Sequence, residues 1–279
     1  MAESTDESML EVALSAARSA GEIIRRTTGR VAALAKGGIS DLVTESDREC
    51  QNVIFGRIRE RFPGHKILGE EDVPAGAAAA AEAISCVAGE PFLWVVDPID
   101  GTTNFASGLP LCCVSIAAVR AGRVHAAVIY DPARDEAFTA TRGRGAQLNG
   151  APMRVGAATE LRDSIIAYGG LGRVEAVAAP TLRVVASLAS RTRAMRGLGS
   201  AALHLAYVAA GRLDASFDMS LSVWDTAAGT LLVEEAGGRM SNFRGDAYSL
   251  TTRDTLASNG AVHQALLDTF LDSNAQPKL

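Results

Sequence analysis

Residues 94–105 read Trp-Val-Val-Asp-Pro-Ile-Asp-Gly-Thr-Thr-Asn-Phe, an apolar segment that runs directly into two acids, a proline, a glycine and two threonines. Pro98 is expected to end the strand and to hold Asp97 extended at its carboxyl end. Asp97 and Asp100 would repel each other if held close without a cation between them. The amides of 101–103 can face one oxyanion, because glycine permits a left-handed backbone. A Mg²⁺ ion beside a phosphate would meet both demands, although two acids alone more often cap a turn or a helix.

Composition places the chain among ordinary globular proteins. Its 279 residues are 48% hydrophobic and 21% charged, and the net charge of −5 argues against a nucleic-acid interface made by bulk charge. No uncharged apolar run reaches the roughly 18 residues of a membrane span, and the acidic amino terminus is unlike a signal peptide. No metal-ligand spacing is formed by the four cysteines, Cys50, Cys86, Cys112 and Cys113. We therefore expect a cytoplasmic protein with reduced thiols and a small-molecule partner, without membrane contact.

The first half of the chain reads as helices followed by antiparallel sheet. Apolar residues at helical spacing predict amphipathic helices through Leu10–Ile24 and Cys50–Phe62, joined by a Gly-rich connection over 36–47. An Ala-rich stretch extends to about Ala83. Strands are predicted at Lys66–Gly69, Pro91–Val96, Val114–Val119, Val124–Tyr130 and Glu136–Thr141.

After Gly150 the pattern changes to alternating strands and helices. Strands are predicted at Ser164–Tyr168, Arg193–Arg196, Leu213–Asp218, Gly238–Phe243 and Thr255–Ser258. Helices are predicted at Arg173–Ser190, Ser200–Ala210 and Asp225–Ala236, with one more at the end of the chain. Because no Pro/Ser-rich linker separates the halves, we expect one domain over 1–279, with lobes at about 1–150 and 151–279.

Further acids stand at strand and helix boundaries. Glu70-Glu71-Asp72 follows a strand, while Asp47 and Asp225 each lie at the start of a predicted helix. Taken singly, the triplet is more often a solvated acidic loop, and the other two are more often helix caps. Together with the two acids of 94–105 they could converge on one metal cluster. Sequence spacing permits that convergence but does not show it.

Four motifs in order give the sequence a specific resemblance to the inositol monophosphatase family of Mg²⁺-dependent, Li⁺-sensitive phosphomonoesterases. Residues 94–105 match D-P-[ILV]-D-G-T-x-N-[FY] at every defined position, and 224–238 match W-D-x-x-A followed by an apolar helix and E-x-G-G. The segments 36–47 and 69–71 also stand in the family's order. The resemblance covers roughly residues 8–270. It implies the layered αβαβα fold of inositol monophosphatases and fructose-1,6-bisphosphatases, and a homodimer.

The resemblance implies a metal centre of two or three Mg²⁺ ions. One ion would be held by Glu70, Asp97 and the carbonyl of Ile99. A second would be held by Asp97, Asp100 and Asp225, so that Asp97 bridges the pair. A third, more weakly bound ion would be coordinated by Glu70. Glu70 would thereby take part in catalysis as well as in metal binding. The metal would activate the attacking water and neutralise the leaving alkoxide, so no protein nucleophile is required.

The resemblance also implies roles in water orientation and in substrate binding. Thr102, hydrogen-bonded to Asp47, would orient the attacking water. Phosphate would be cradled by the amides of Gly101, Thr102 and Thr103, and Lys36 would lie on a mobile loop over the site. The implied substrate contacts are Gly199, Ser200, Ala201 and Asp218. The expected reaction is hydrolysis of a small phosphate monoester to the alcohol and inorganic phosphate.

The substrate is left open by one departure from the family pattern. Asp218 stands where inositol-selective members place a Glu, and a carboxylate one methylene shorter shifts the reach of its hydrogen bonds. We expect myo-inositol monophosphate as the leading substrate. Histidinol phosphate, fructose 1,6-bisphosphate, NADP and a 3′-phosphoadenosine nucleotide are the alternatives within the same fold and chemistry.

Two other classes of protein compete with this interpretation. A haloacid-dehalogenase-like phosphatase would use the first Asp of D-x-D-G-T as a nucleophile, but here two residues separate the acids instead of one. A non-catalytic regulatory binding protein would carry a vestigial site, and the intact acids argue against it. The histidines His65, His125 and His204 follow no ligand pattern and are expected to be surface or packing residues. Arg191, Arg193 and Arg196 are expected on a solvated strand face.

Overall fold

The computed structural model describes residues 5–30, 34–38, 41–87, 89–171 and 175–273. Its helices are α1 (Asp6–Thr27), α2 (Glu45–Arg61), α3 (Ala77–Val87), α4 (Thr102–Ala106), α5 (Glu175–Ala189), α6 (Ala201–Ala209), α7 (Val223–Glu235) and α8 (His263–Asp272). Its strands are β1 (Leu34–Gly38), β2 (Asp41–Val43), β3 (Lys66–Gly69), β4 (Phe92–Asp100), β5 (Cys113–Arg120), β6 (Arg123–Asp131), β7 (Glu136–Thr141), β8 (Ala146–Leu148), β9 (Ala151–Met153), β10 (Ile165–Tyr168), β11 (Ala194–Arg196), β12 (Ala215–Asp218), β13 (Arg239–Ser241) and β14 (Thr255–Ser258). Short 3₁₀ turns lie at Glu70–Asp72 and Leu161–Asp163.

Helix pairs alternate with two sheets to give five layers. α1 and α2 cover one face of a seven-stranded sheet with the order β3-β4-β5-β6-β7-β8-β9. α6 and α7 lie between that sheet and a five-stranded sheet with the order β11-β10-β12-β14-β13. α5 and α8 contact each other on the outer side of the second sheet. The predicted layered αβαβα architecture is therefore confirmed.

Parallel pairing of β3 and β4 in the seven-stranded sheet brings together the segments that follow these two strands. This sheet is antiparallel except that β3 runs parallel to β4, with Gly69 opposite Val96. Residues that follow these two strands therefore emerge at the same edge. The sequence predicted an antiparallel first half, so this parallel pair is a correction. The short elements β8, β9 and α4 were not predicted, because three to five residues are too few to show a period.

β4 continues through Pro98, although the sequence predicts that the strand ends there. Asp97 pairs with Ser115, the register shifts, and pairing resumes between Asp100 and Cys113. Because proline lacks an N–H, it is tolerated in the irregular segment and not in the regular ladder. The strand thus carries both acids, and the irregularity changes the direction in which they point.

Hydrogen-bonded caps place two acids inside the first turns of α2 and α7. Thr44 precedes α2, and its amide donates to Oδ2 of Asp47 at 2.8 Å. Ser222 precedes α7, and its amide donates to Oδ2 of Asp225 at 2.7 Å. α7 begins at Val223, before the predicted start at Asp225, because the acid closes the cap from the third helical position.

The predicted Gly-rich connection over 36–47 contains β2 and most of β1, and its last residues begin α2. β1 and β2 pair in the antiparallel direction, with Leu34 opposite Val43. Lys36 lies in β1, and its side chain falls outside the described residues. The mobility expected of this segment stays a prediction.

Three of the four free cysteines are buried, and Cys86 is exposed. Burial raises the pKa of the Cys112 thiol to about 12, and burial also raises the pKa of Cys50 and Cys113. Thiols held protonated in this way are poor nucleophiles, which agrees with the predicted packing role. Among the described helices, none has the length and apolar content that a membrane crossing requires.

Two of the predicted packing histidines have clear structural partners. The ring of His65 stacks between Phe62 and Phe92, with centroid distances of 4.7 and 4.4 Å. Nδ1 of His125 lies 3.0 Å from Oδ2 of Asp6, which ties β6 to the start of α1. Both contacts are remote from the acids at the end of β4, so neither histidine is a candidate catalyst.

Buried His263, at the start of α8, makes stability depend on pH. Burial lowers its pKa from 6.5 to about 4, with a smaller contribution from Arg239, and its ring nitrogens lie 2.8 Å from the hydroxyls of Ser241 and Ser258. The unfolded chain binds a proton below pH 6.5, whereas the folded chain does so only near 4. Stability is therefore complete above pH 6.5 and is lost as the pH falls towards 4.

When the pH falls from 7 to 5, we expect protonation of His263 in the unfolded chain to lower the free energy of unfolding by about 2 kcal/mol. The measurement is urea unfolding of the wild type and of His263→Gln at both pH values, with EDTA present. Other titrating groups act equally in the two proteins, so the difference between their pH dependences isolates the histidine. Equal pH dependence in the two proteins would show that His263 does not titrate abnormally.

Candidate metal centre and active site

Three carboxylates meet where β4 ends and α7 begins. Oxygen atoms of Asp97, Asp100 and Asp225 all lie within 4.8 Å of one another. Asp97 is 1% exposed and Asp100 is 8% exposed. In a regular strand, side chains three positions apart point to opposite faces. The irregularity at Pro98 is therefore what allows both acids of β4 to reach one cluster.

Glu70 joins the cluster from the neighbouring strand. It opens the 3₁₀ turn directly after β3, and its carboxyl group hydrogen-bonds the side chain of Asp97. Buried Gln51 of α2 holds that turn, because its Oε1 accepts from the amide of Glu71 at 3.0 Å and its Nε2 donates to Asp72 at 3.1 Å. Parallel pairing of β3 with β4 thus brings a fourth predicted acid to the site.

The electrostatics of the cluster call for a cation. Burial raises the pKa of Asp97 well above its usual range, and the negative charges of Glu70, Asp100 and Asp225 raise it further. Burial also raises the pKa of Asp100, although the hydroxyl of Ser200 opposes this. Acids packed this closely are stable only when protonated or when a cation neutralises them. The donors are hard carboxylate oxygens, so the residues fit Mg²⁺.

The start of α6 supports Asp100. The Ser200 hydroxyl and the Ala202 amide donate to Oδ2 of Asp100, the latter at 2.7 Å, and the Ala201 amide donates to Oδ1 at 3.3 Å. Ser200 and Ala201, predicted as substrate contacts, therefore bind a candidate metal ligand in this structure. Their direct contact with substrate stays a prediction.

Asn104 of α4 holds the loop that leads into Ser200. Its Nδ2 donates to the carbonyl oxygens of Leu111 at 2.8 Å and Leu198 at 2.7 Å. A Cβ at Gly199 would lie 2.9 Å from the same amide nitrogen, so the two segments are in close contact. Asn104, which belongs to the motif at 94–105, thus positions the segment that leads into the predicted substrate contacts Gly199 and Ser200. The sequence predicted no role for this side chain.

Thr102 and Asp47 face each other across α4 and α2. Oγ1 of Thr102 lies 3.1 Å from the carbonyl oxygen of Ile99 and 3.5 Å from Oδ1 of Asp47. Asp47 is buried, and its Oδ2 also accepts from the hydroxyl of Thr44 at 2.6 Å. Oδ1 of Asp47 faces the Thr102 hydroxyl. The predicted contact between Thr102 and Asp47 is therefore present, and the role of the pair in orienting a water molecule stays a prediction.

Gly101 makes the turn between β4 and α4. It adopts φ 92° and ψ 37°, and a Cβ there would lie 2.8 Å from the carbonyl oxygen of Leu111. Both the left-handed backbone and the close approach therefore require glycine. The amides of Thr102 and Thr103 begin α4 and have no acceptor within the helix. The phosphate cradle expected from these two amides and that of Gly101 stays a prediction.

Asp218 ends β12 and contacts His204 of α6. Oδ2 of Asp218 lies 3.1 Å from Nδ1 of His204, and both side chains are buried. Nε2 of His204 lies 3.2 Å from the amide of Leu198, so the pair lies beside the segment that leads into Ser200, whose hydroxyl donates to Asp100. His204 was predicted as a surface or packing residue, and no local pattern singled it out. Its burial against a predicted substrate contact is a finding of the structure.

Comparisons with known proteins point to the same family that the four sequence motifs resemble. The model of the inositol monophosphatase family matches residues 5–275. A protein of Pseudomonas aeruginosa named Nus factor SuhB is 43% identical over 267 residues, which cover 94% of this chain and 95% of the relative. Inositol monophosphatase 3 of Solanum lycopersicum is 39% identical, with 94% of this chain and 96% of the relative covered. The solved IMPase of Thermotoga maritima has 34% identity and a TM-score of 0.85, covering 96% of this chain and 98% of that one.

Proposed function

Because the chain belongs to the inositol monophosphatase family, we propose that it hydrolyses a small phosphate monoester to an alcohol and inorganic phosphate in a Mg²⁺-dependent reaction. The observation that carries this proposal is the convergence of Asp97, Asp100 and Asp225 within 4.8 Å, with Glu70 bonded to Asp97. Such a cluster costs folding free energy without a cation, so a purely structural role explains it poorly.

We assign the metal ligands from the positions of the side chains. The Mg²⁺ ions would be held by Glu70, Asp97, the carbonyl of Ile99, Asp100 and Asp225. Asp97, whose carboxyl group is influenced by the other three acids, would be shared between two ions. When bound, Mg²⁺ would polarise the phosphoryl oxygens, make a water molecule a better nucleophile and neutralise the leaving alkoxide. Ser200, Ala201 and Ala202 keep Asp100 in place through three hydrogen bonds.

Thr102 and Asp47 orient the attacking water in this proposal. The Thr102 hydroxyl has one proton, which it donates to Ile99 or to Asp47. Its lone pairs then accept a hydrogen bond from water, and that bond directs the water oxygen towards phosphorus. The amides of Thr102 and Thr103 donate to the phosphate oxygens, where negative charge is held during transfer.

Inositol monophosphate is our leading substrate, and the alternatives share its chemistry. The test is phosphate release from myo-inositol 1-phosphate, histidinol phosphate, fructose 1,6-bisphosphate, NADP and 3′-phosphoadenosine 5′-phosphate, each with Mg²⁺ and with EDTA. We expect turnover of at least one substrate with Mg²⁺, falling by about 10³-fold or more in EDTA. A trapped aspartyl-phosphate would instead support the dehalogenase-like reaction. No release from any substrate by the folded, Mg²⁺-saturated protein would contradict the phosphatase proposal.

A second candidate function is suggested by the name of the bacterial relatives. The relative from Escherichia coli, like that from Pseudomonas aeruginosa, is named Nus factor SuhB, and it is 42% identical over 95% of this chain. We propose that the folded protein contacts the transcription machinery, independently of phosphate release. Binding of purified RNA polymerase by both the wild type and Asp97→Asn would support this role. If neither the wild type nor Asp97→Asn binds RNA polymerase, the phosphatase remains the sole proposal.

A further inference from the structure

The hydrogen bonds of His204 define which of its nitrogens carries the proton. The Leu198 amide can only donate, and it lies 3.2 Å from Nε2. Nε2 is therefore the acceptor, and the proton of the neutral ring is on Nδ1. That proton points at Oδ2 of Asp218, 3.1 Å away. His204 thus fixes one oxygen of Asp218 while it supports the loop before Ser200.

The second oxygen of Asp218 has a different environment. No described residue donates a hydrogen bond to Oδ1, and the side chain keeps 8% of its surface exposed. Oδ1 lies against Gly169, the residue after β10, where a Cβ would come within 1.6 Å of it. The absence of a side chain at 169 therefore leaves the space that this oxygen occupies. One oxygen of the carboxylate is held by the protein, and the other is left as an acceptor.

We propose that His204 is a positioning residue for substrate selection: by holding Oδ2 of Asp218, it presents Oδ1 as the acceptor for one hydroxyl of a polyol monophosphate. The inference rests on the proposed phosphatase function. It explains how a carboxylate shorter than the family's Glu can serve, because the histidine sets the rotamer that the shorter side chain needs. A substrate without hydroxyls, such as p-nitrophenyl phosphate, gains nothing from this contact.

Two substitutions separate the two hydrogen bonds of His204. The amide nitrogen of asparagine takes the place of Nδ1, so His204→Asn retains the donor to Asp218 and loses the acceptor for Leu198. The amide of glutamine reaches the place of Nε2, so His204→Gln retains the acceptor for Leu198 and loses the donor to Asp218. A merely structural histidine would affect every substrate alike in both variants.

The experiment is steady-state kinetics of both variants and the wild type on myo-inositol 1-phosphate and p-nitrophenyl phosphate at saturating Mg²⁺. For His204→Gln we expect KM for the inositol phosphate to rise about tenfold, with kcat and both constants for p-nitrophenyl phosphate within about twofold of wild type. For His204→Asn we expect the KM for the inositol phosphate to stay within about threefold of wild type. Equal effects on the two substrates, or no effect on either, would overturn the inference.

Gly169→Ala approaches the same carboxylate from another element. Its Cβ must displace Oδ1 of Asp218, so we expect the same selective rise in KM for the inositol phosphate, about tenfold. This variant decides the question if His204→Gln fails to fold, which thermal unfolding will show. A wild type that hydrolyses neither substrate would overturn the inference, and the phosphatase proposal falls with it only if none of the five substrates named under that proposal releases phosphate. Turnover without substrate-selective effects would overturn the inference alone.

Discussion

Asp97→Asn is expected to lower Mg²⁺-dependent phosphate release by at least about 10³-fold, because the proposed bridging ligand would lose the charge that binds the metal. The substitution changes one oxygen to an NH₂ group and keeps the size of the side chain. The hydrogen bond that Oδ1 accepts from the Ile99 amide, at 3.0 Å, can be kept by the asparagine oxygen. The local backbone should therefore persist while the metal site fails. The measurement is kcat on the preferred substrate over a Mg²⁺ titration.

The same substitution should have the opposite effect on stability when metal is absent. The wild-type carboxyl is buried among three other acids, which raise its pKa, and a neutral amide avoids that repulsion. In EDTA, Asp97→Asn is therefore expected to unfold at the same temperature as the wild type or at a higher one. Added Mg²⁺ should raise the unfolding temperature of the wild type and leave the variant nearly unchanged. A variant less stable than the wild type in EDTA would contradict the electrostatic account.

Asp131→Asn is the matched control. Asp131 is fully buried, but it lies outside the cluster and bonds the guanidinium of Arg134 at 2.9 Å and the Ala133 amide at 3.0 Å. Neutralising it breaks a pair of opposite charges, so stability should fall by about 1–3 kcal/mol while kcat is retained. Loss of activity in both Asp variants would show that any buried charge deletion disables the protein. The assignment of Asp97 as a ligand would then lose its support.

The sequence predicted the acids of the site because each lies at a boundary of a predicted strand or helix. Asp97 and Asp100 flank a proline, Glu70 follows a strand, and Asp47 and Asp225 stand in first helical turns. Sequence did not show how the acids of β4 share a face, since three-residue spacing in a regular strand separates them. The irregularity is visible only in the pairing of Asp100 with Cys113 on β5. The pairing of β4 with the distant strand β5 is therefore needed to bring Asp97 and Asp100 to the same site.

The residues that sequence analysis missed act through contacts between distant elements. His204 lies within the apolar helix α6, where its position looks like any core-facing one, and its partner Asp218 is on a strand 14 residues away. Gln51 likewise looks like an ordinary polar residue of α2 until the turn after β3 folds over it. The amphipathic helices were predicted because their period is local. Neither of these roles leaves a local signal.

Thr102→Ala is expected to lower kcat by about 10²–10³-fold with little change in KM, because in the proposed reaction the hydroxyl would act on the attacking water and not on the bound substrate. Oγ1 lies between the Ile99 carbonyl and Oδ1 of Asp47, at 3.1 and 3.5 Å, and alanine removes both contacts. The helix itself should survive, since the amide of residue 102 and the left-handed turn at Gly101 are unchanged.

Thr102→Ser tests whether the hydroxyl carries this effect. It keeps the donor and loses only a methyl group, so kcat should stay within about tenfold of wild type. Thr181→Ala, which removes a buried hydroxyl bonded to the Val177 carbonyl at 2.9 Å in α5, should retain wild-type kinetics and serves as the control. If the alanine and serine variants at 102 are equally slow, the role belongs to the shape of the side chain and not to its oxygen. If Thr102→Ala raises KM and leaves kcat intact, Thr102 binds the phosphate and another group must orient the water.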